Sequence, residues 1–350
     1  MIIGNNYGHG GDIYKNIISY DFSANVNPYG TPKAVKEAIR RSAEEVSVYP
    51  DPYCTKLRKM LSEALNVSED FIACGNGAAE IIFQFVQVLK PKKALLPVPS
   101  FSEYESALKT LEDDTEVVLY GLKKENGLAV TEDILGAITK DISLLMLCNP
   151  NNPSGLCIDD DLLLSILEKC RENDVWLFMD ECFMDLIDKE RSISLIPLLK
   201  EGDKVFVLKA FTKLYGMAGV RLGYGICKNT QMLSDMCSCV QPWNVSAPAQ
   251  AAGCAALSCA EWVKETKEKI FKEKEYLCQE LSKLGLKVQK GHANFLMIYD
   301  APGLYEKLLE RGILIRDCSN YHGLEKGDCR IAVRRHEENE VLIKTLSEIL

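Results

Sequence analysis

Lys209-Ala210-Phe211-Thr212-Lys213-Leu214-Tyr215-Gly216-Met217-Ala218-Gly219-Val220-Arg221-Leu222-Gly223-Tyr224 sets Lys213 and, eight positions on, Arg221 between two apolar stretches. The preceding Val205-Phe206-Val207-Leu208 is a short apolar run of strand type, so Lys213 falls just past a strand end, where reactive groups of α/β sheets gather. Gly216, Gly219 and Gly223 allow a tight return, after which Val220-Arg221-Leu222 reads as the start of another strand. Burial at such a place lowers a lysine's pKa, the condition for imine chemistry with an aldehyde, and Arg221 offers a charged fork to a phosphate. Taken alone, the two charges read more readily as solvated loop residues beside a buried strand.

The rest of the chain supplies the context. From about residue 31 to 230, strand-like runs alternate with helical periodicity, the pattern of an α/β sheet with crossover helices. Seven strands are expected: Phe71 to Cys74, Ala94 to Val98, Val117 to Tyr120, Leu144 to Cys148, Val175 to Met179, Val205 to Leu208 and Val220 to Cys227. A long helix rich in Lys and Glu follows from about Ala260 to Leu284, and the remainder reads as a compact α+β module. The expected division is an amino-terminal segment, 1–30, packing with the small unit, a large unit, 31–240, and a small carboxyl-terminal unit, 241–350.

Three further strand ends carry motifs. Cys74-Gly75-Asn76-Gly77-Ala78-Ala79-Glu80 joins a strand to a helix, and its glycines let backbone N–H groups approach an anion, although any strand–helix turn also uses glycine. Asn149-Pro150-Asn151-Asn152-Pro153-Ser154-Gly155 is a rigid turn after an apolar run, able to aim an amide at a ligand or to serve as a plain loop. Asp180 ends the run from Val175 to Met179 and reads either as a site carboxylate or as a helix N-cap.

Composition narrows the function classes. Lys and Arg number 41 against 50 Asp and Glu, so a general polyanion-binding surface is not expected and no nucleic-acid partner is assigned. No apolar run approaches a membrane span, and the start lacks a secretion pattern, so the expectation is a cytoplasmic protein without a membrane partner. The 14 cysteines include no C-x-x-C pair and accompany only four histidines, so reduced thiols are expected and no metal site.

In this order T-K-L-Y-G-M-A-G-V-R-L-G-Y, N-P-N-N-P-S-G and D-E-C-F resemble the fold-type I pyridoxal-phosphate enzymes, in the branch of histidinol-phosphate aminotransferase and threonine-phosphate decarboxylase, over essentially the whole chain. The resemblance implies an α/β aminotransferase fold of type I, with a mostly parallel seven-stranded sheet in the large domain and a smaller α+β domain. It implies pyridoxal 5'-phosphate as cofactor, with Lys213 as the residue that binds its aldehyde and moves protons, and Asp180 against the ring nitrogen. Asn152 would meet the ring oxygen, Phe101 the ring face, and Ala78, Ala79, Thr212 and Arg221 the phosphate. Tyr49, in V-Y-P-D, matches a tyrosine that reaches the partner subunit's phosphate, so a homodimer with shared active sites is implied. Ala210 departs from the pattern, since relatives often place a hydroxyl there.

The reaction is less tightly specified, because the cofactor serves whichever bond to Cα breaks. His9-Gly10-Gly11-Asp12 followed by Asp21-Phe22-Ser23-Ala24-Asn25-Val26-Asn27-Pro28 resembles threonine-phosphate decarboxylases, and Phe183 stands where many aminotransferases carry a tyrosine. The resemblance assigns substrate contacts to His9, Asn27, Asn294, Arg316, Tyr321, Arg330 and Arg334, with Arg334 expected on the same strand face as Arg330. It implies decarboxylation of L-threonine O-3-phosphate to (R)-1-aminopropan-2-yl phosphate in corrinoid biosynthesis. The alternative is an aminotransferase acting on histidinol phosphate or an aromatic amino acid.

Overall fold

The computed structural model describes residues 9–111, 114–188 and 193–350. Residues 1–8 of the amino-terminal segment lie outside the described residues. In chain order, β1 (Tyr20–Asp21), α1 (Lys33–Ser42) and α2 (Thr55–Leu65) precede β2 (Ile72–Gly75), α3 (Ala78–Leu89), β3 (Lys93–Val98), α4 (Glu103–Lys109) and β4 (Glu116–Gly121). Then come α5 (Ile134–Ala137), β5 (Leu144–Cys148), α6 (Asp160–Glu172), β6 (Trp176–Asp180), β7 (Val205–Ala210), β8 (Gly223–Ile226), α7 (Thr230–Cys239), α8 (Ala247–Leu257) and α9 (Ala260–Lys283). The chain finishes with β9 (Lys287–Lys290), β10 (Phe295–Tyr299), α10 (Leu304–Glu310), β11 (Ile313–Leu314), β12 (Arg316–Asp317), β13 (Cys329–Ala332) and α11 (His336–Ile349).

Seven strands form one sheet in the order β2-β8-β7-β6-β5-β3-β4, parallel except for β8, which runs against both β2 and β7. Every residue of β5, β6 and β7 is buried, as expected for strands covered on both faces. One face packs on α2, α6 and α8 through residues such as Leu61, Leu163 and Ala252; the other packs on α3 and α4 through Phe85 and Tyr104. Because β3, β5, β6 and β7 are parallel, the turns after their carboxyl ends gather on one edge of the sheet.

Two expectations change. Val220 closes a short 3-10 turn, Ala218–Val220, and Arg221 is left-handed at φ 58°, so the strand begins at Gly223 rather than at Val220. The close return of the chain forces this: a Cβ at Gly223 would lie 2.7 Å from the Ala78 nitrogen. A division at 240 would also place α8 with the small unit. Its Ala249, Ala252 and Ala256 instead join the core of the large sheet, and a Cβ at Gly253 would lie 2.6 Å from Leu222 and 2.9 Å from Leu57. Packing with the small unit starts inside α9, whose Ile270, Leu277 and Leu281 face the core under β10 and β13.

The small unit carries a four-stranded antiparallel sheet, β12-β13-β10-β9. The amino-terminal segment is tied to it: β1 pairs in parallel with β11, and Phe22 is fully buried in its core. Pairing of β12 with β13 sets Arg316 directly opposite Arg330. The site therefore lies where the sheet edge of the large unit meets the amino-terminal segment and this second sheet.

Candidate active site

A cavity of about 510 Å³ opens at that junction, within the size range of small-molecule sites. Lys213, three residues past the end of β7, faces into it, and its ammonium lies 5.4 Å from the centroid of the Phe183 ring. Burial, and next the Arg330 charge, push the Lys213 pKa down to about 8. At pH 8 an ordinary lysine is only about 0.3% neutral, whereas Lys213 is half neutral there and able to attack a carbonyl. Condensation of an aldehyde with Lys213, trapped by borohydride and located by peptide mass mapping, is expected to speed up with pH and to level off above about 8. A rate still climbing steadily toward pH 10.5 would show that the lysine is unperturbed.

Asp180 ends β6 and is buried on the cavity wall. The Cys182 N–H donates to its Oδ1 at 2.9 Å and the Tyr104 hydroxyl donates to its Oδ2 at 2.6 Å. Burial raises its pKa, and these two donors oppose that rise by favouring the carboxylate. Asp180 is thus held as an oriented acceptor. The N-cap reading falls away, since its side chain caps only the turn to Cys182 and no long helix follows.

Across the cavity, the Arg330 guanidinium rises from β13, with Nη1 donating to Asn152 Oδ1 and Nη2 to the Ser23 carbonyl at 2.9 Å. Its carbon lies 5.4 Å from the centroid of the Phe295 ring, and its buried Nε has no partner. Among the described residues no carboxylate pairs with it, so its charge is available to an anion. Asn25 also lines the cavity, is 2% exposed, and has neither side-chain atom satisfied. Such atoms are costly to bury alone and mark where a ligand belongs.

The far wall suits a phosphate. Helix α3 starts at Ala78 with Gly77 as its cap at φ 88° and no side chain capping its first N–H groups. Ala78, Ala79, Thr212 and Arg221 all line the cavity there. A Cβ at Gly77 would come within 2.5 Å of Arg221 Nη2, so the arginine packs directly on the glycine. Open helix N–H groups beside a guanidinium make an anion cradle. Gly77→Ala is expected to weaken binding of inorganic phosphate about tenfold or more, read by isothermal titration calorimetry, since a side chain there is both strained and in the arginine's place. Unchanged affinity would remove the cradle from this wall.

The structure brings His9, Ala78, Ala79, Phe101, Asn152, Asp180, Thr212, Lys213, Arg221, Tyr321 and Arg330 to one cavity. The other sequence-derived candidates stand elsewhere. Asn27 is a scaffold residue: its Nδ2 donates to the Leu214 carbonyl at 2.9 Å and to Thr266 Oγ1 at 3.2 Å, and its Oδ1 accepts from the Tyr29 N–H. The amide that reaches the cavity is Asn25, two residues earlier in the same motif. Arg334 does not converge with Arg330, because β13 ends at Ala332 and its guanidinium pairs with Glu338 at 2.9 Å. Arg316 sits behind the wall, 5.2 Å from the centroid of the Tyr321 ring, donating to the Asp317 carbonyl and to Asn320. Asn294 is wholly buried beside Phe295 and does not line the cavity, although both side-chain atoms are unsatisfied. Tyr49 is 75% exposed and stacks on Trp243 at 4.4 Å, outside its own cavity.

Sequence reading missed Asn25, Ser23, Glu103, Tyr104 and Cys182. Tyr104 follows Phe101 at helical spacing and was the most accessible of these from sequence. Among the described residues no cluster of side chains suits a metal ion, and no helix is long and apolar enough to cross a membrane.

Residues 18–346 match the family model Aminotransferase class I and II. The chain is 36% identical to the threonine-phosphate decarboxylase of Salmonella typhimurium, over 94% of this chain and 91% of that protein. It is 31% identical to the adenosylcobalamin biosynthesis bifunctional protein CobDQ of Leptospira interrogans, over 94% of this chain and 38% of that protein. Its fold superposes on the histidinol-phosphate aminotransferase of Clostridium acetobutylicum with a TM-score of 0.87 at 29% identity, covering 95% of this chain and 99% of that one.

Proposed function

We propose, from the premise that this chain belongs to the aminotransferase class I and II family, that it is an enzyme that decarboxylates L-threonine O-3-phosphate to (R)-1-aminopropan-2-yl phosphate. The product would enter corrinoid nucleotide-loop assembly. The observation that carries the reading is the charge layout of the cavity. His9, Lys213, Arg221 and Arg330 line it against two carboxylates, Asp180 and Glu103. After Lys213 and Arg221 are assigned to a phosphorylated aldehyde cofactor, Arg330 remains without a carboxylate partner for a substrate anion, and His9, held by Glu103, stands beside it as a further polar contact. The 36% identity to a threonine-phosphate decarboxylase supports the same choice.

The residues fit pyridoxal 5'-phosphate. Lys213 would bind its aldehyde, Asp180 would face its ring nitrogen, Asn152 its ring oxygen and Phe101 its ring face, with Ala78, Ala79, Thr212 and Arg221 at the phosphate. Bound there, the group supplies an electron sink for the charge left at Cα. The chain's own residues do the rest. Arg330, Asn25, His9 and Tyr321 grip the carboxylate and the distal phosphate and so orient the Cα–carboxylate bond for cleavage. Carbon dioxide departs, and Lys213 delivers a proton to Cα. Phe183, packed edge-on against Phe295 at 5.2 Å, offers no hydroxyl to the ring oxygen, leaving Asn152 as its donor.

A homodimer is part of the proposal. Val46, Val48, Tyr49, Tyr53 and Trp243 are all exposed, at 44% or more, a concentration of large apolar side chains that suits burial against a second copy. Tyr49 would then reach the partner's cofactor phosphate. A cytoplasmic location is proposed on the reduced thiols and the small charged substrate.

The second reading, an aminotransferase for histidinol phosphate or an aromatic amino acid, is favoured by the superposition on a histidinol-phosphate aminotransferase. Product analysis with threonine phosphate, serine phosphate and histidinol phosphate separates the two. Carbon dioxide and amine released without an oxo acid support decarboxylation; strict dependence on 2-oxoglutarate overturns it. Serine phosphate is expected to be a slower substrate, since one methyl is worth about 1–3 kcal/mol of discrimination.

A further inference from the structure

Helix α4 holds two histidine–carboxylate contacts whose partners come from different parts of the chain. Glu103 Oε1 meets His9 Nε2 at 2.9 Å, and Glu105 Oε2 meets His322 Nε2 at 2.8 Å. His9 belongs to the amino-terminal segment and lines the cavity. His322 follows Tyr321, which lines the cavity from the small unit. The helix itself is fixed, with Tyr104, Ala107 and Leu108 buried and the Tyr104 hydroxyl bound to Asp180. Glu105 also meets Lys109 of its own helix at 2.7 Å, a contact separate from the one to His322.

We infer that Glu103 and Glu105 are positioning residues that clasp two walls of the cavity, the His9 segment and the Tyr321–His322 turn, to a rigid helix, and thereby set affinity for the anionic substrate. The clasp rests on the proposed function only for its substrate readout. Its parts divide the work: Glu103 faces the cavity and steadies His9, while Glu105 lies outside and steadies the turn that presents Tyr321. Exposed pairs of this type are individually weak, so each removal should cost only about fivefold. Both contacts hold walls of one cavity, so losing them together should cost about 25-fold or more.

The test uses Glu103→Gln, Glu105→Gln, the double variant and Lys109→Met in the full holoenzyme. The clasp predicts KM for threonine phosphate raised about fivefold by each single change and about 25-fold by the double, with the loss falling on KM rather than kcat. Hydrogen–deuterium exchange should quicken around residues 9–25 in the first variant and 318–324 in the second, while Lys109→Met, which leaves both histidine contacts intact, moves neither. His322→Gln should reproduce Glu105→Gln. Unchanged exchange in both segments overturns the clasp, as does a KM rise without faster exchange, which would make Glu103 a direct substrate contact. The exchange measurement needs no turnover, so failure to decarboxylate threonine phosphate would count against the proposed function alone.

Discussion

Lys213→Ala is expected to lower kcat by at least about 10⁴-fold, because one side chain is assigned both covalent attachment and proton delivery, and general acid–base work alone is worth about 10²–10⁴. The fold should not suffer. The backbone carbonyl of Lys213 accepts from the Asn27 N–H at 3.0 Å, a bond that alanine keeps. Burial and the nearby Arg330 charge disfavour the ammonium form, so the cation is held against its preference. A lysine whose folded pKa lies near 8, below its unfolded value, opposes folding most when fully charged, and that opposition fades as pH rises from about 8 toward 10.5. The apoprotein variant should therefore melt no lower than the parent at pH 7. Lys213→Arg keeps a cation but cannot form the imine, and should be equally inactive. Product formation in single-turnover assays, with borohydride trapping and peptide mapping, checks both. Substantial residual kcat in either variant would show that Lys213 is not the reacting amine.

Arg330→Ala is expected to reduce kcat/KM for threonine phosphate by about 10²–10³-fold, the scale of removing one partner of a buried charged contact. The arginine is 5% exposed and oriented by neutral acceptors, Asn152 and the Ser23 carbonyl, with its charge left for a ligand. Gly10 packs at the same point, where a Cβ would lie 2.2 Å from the Ser23 carbonyl oxygen and 3.4 Å from Arg330 Nη2. The amino-terminal segment thereby fixes the guanidinium from behind. Arg330→Lys should recover little, since one ammonium cannot reach Asn152, Ser23 and an anion together. The same change carries a second expectation. Arg330 is the leading charge that depresses the Lys213 pKa, so its removal should move the lysine's titration upward from about 8. Steady-state kinetics across pH measure both effects. An unchanged kcat/KM would take Arg330 out of substrate binding, and an unchanged profile would leave burial and the Arg221 charge responsible for the lysine.

The large sheet was legible because β5, β6 and β7 are continuous apolar runs bounded by glycine, proline and asparagine, and because their parallel pairing leaves Asn149 to Gly155, Asp180 and Lys213 past matching ends. The neighbourhood of Arg221 was not. Its left-handed backbone follows from closure of Gly223 onto Ala78, a contact between residues 145 positions apart in sequence. Strand alternation also misled at Arg334, where β13 had already ended and Glu338, in the first turn of α11, supplied the partner. Asn25 and Asn27 are chemically identical in one motif, and only packing distinguishes them. Leu214 and Thr266 satisfy the second, while nothing satisfies the first.

By itself, the sequence determined the α/β sheet, the four strand-end motifs and the residues that suit an aldehyde and its phosphate, because apolar periodicity and turn chemistry act over a few neighbouring positions. Tertiary structure alone decided which polar groups are spent on the scaffold and which are left facing the cavity. Pairing of Glu103 with His9, of Tyr104 with Asp180, and of Arg330 with Asn152 and Ser23 joins segments far apart in the chain. A buried polar atom must find a partner in space rather than in sequence, so those left unpaired on residues that line the cavity, Asn25 and Arg330, could be identified only once the chain had closed around them.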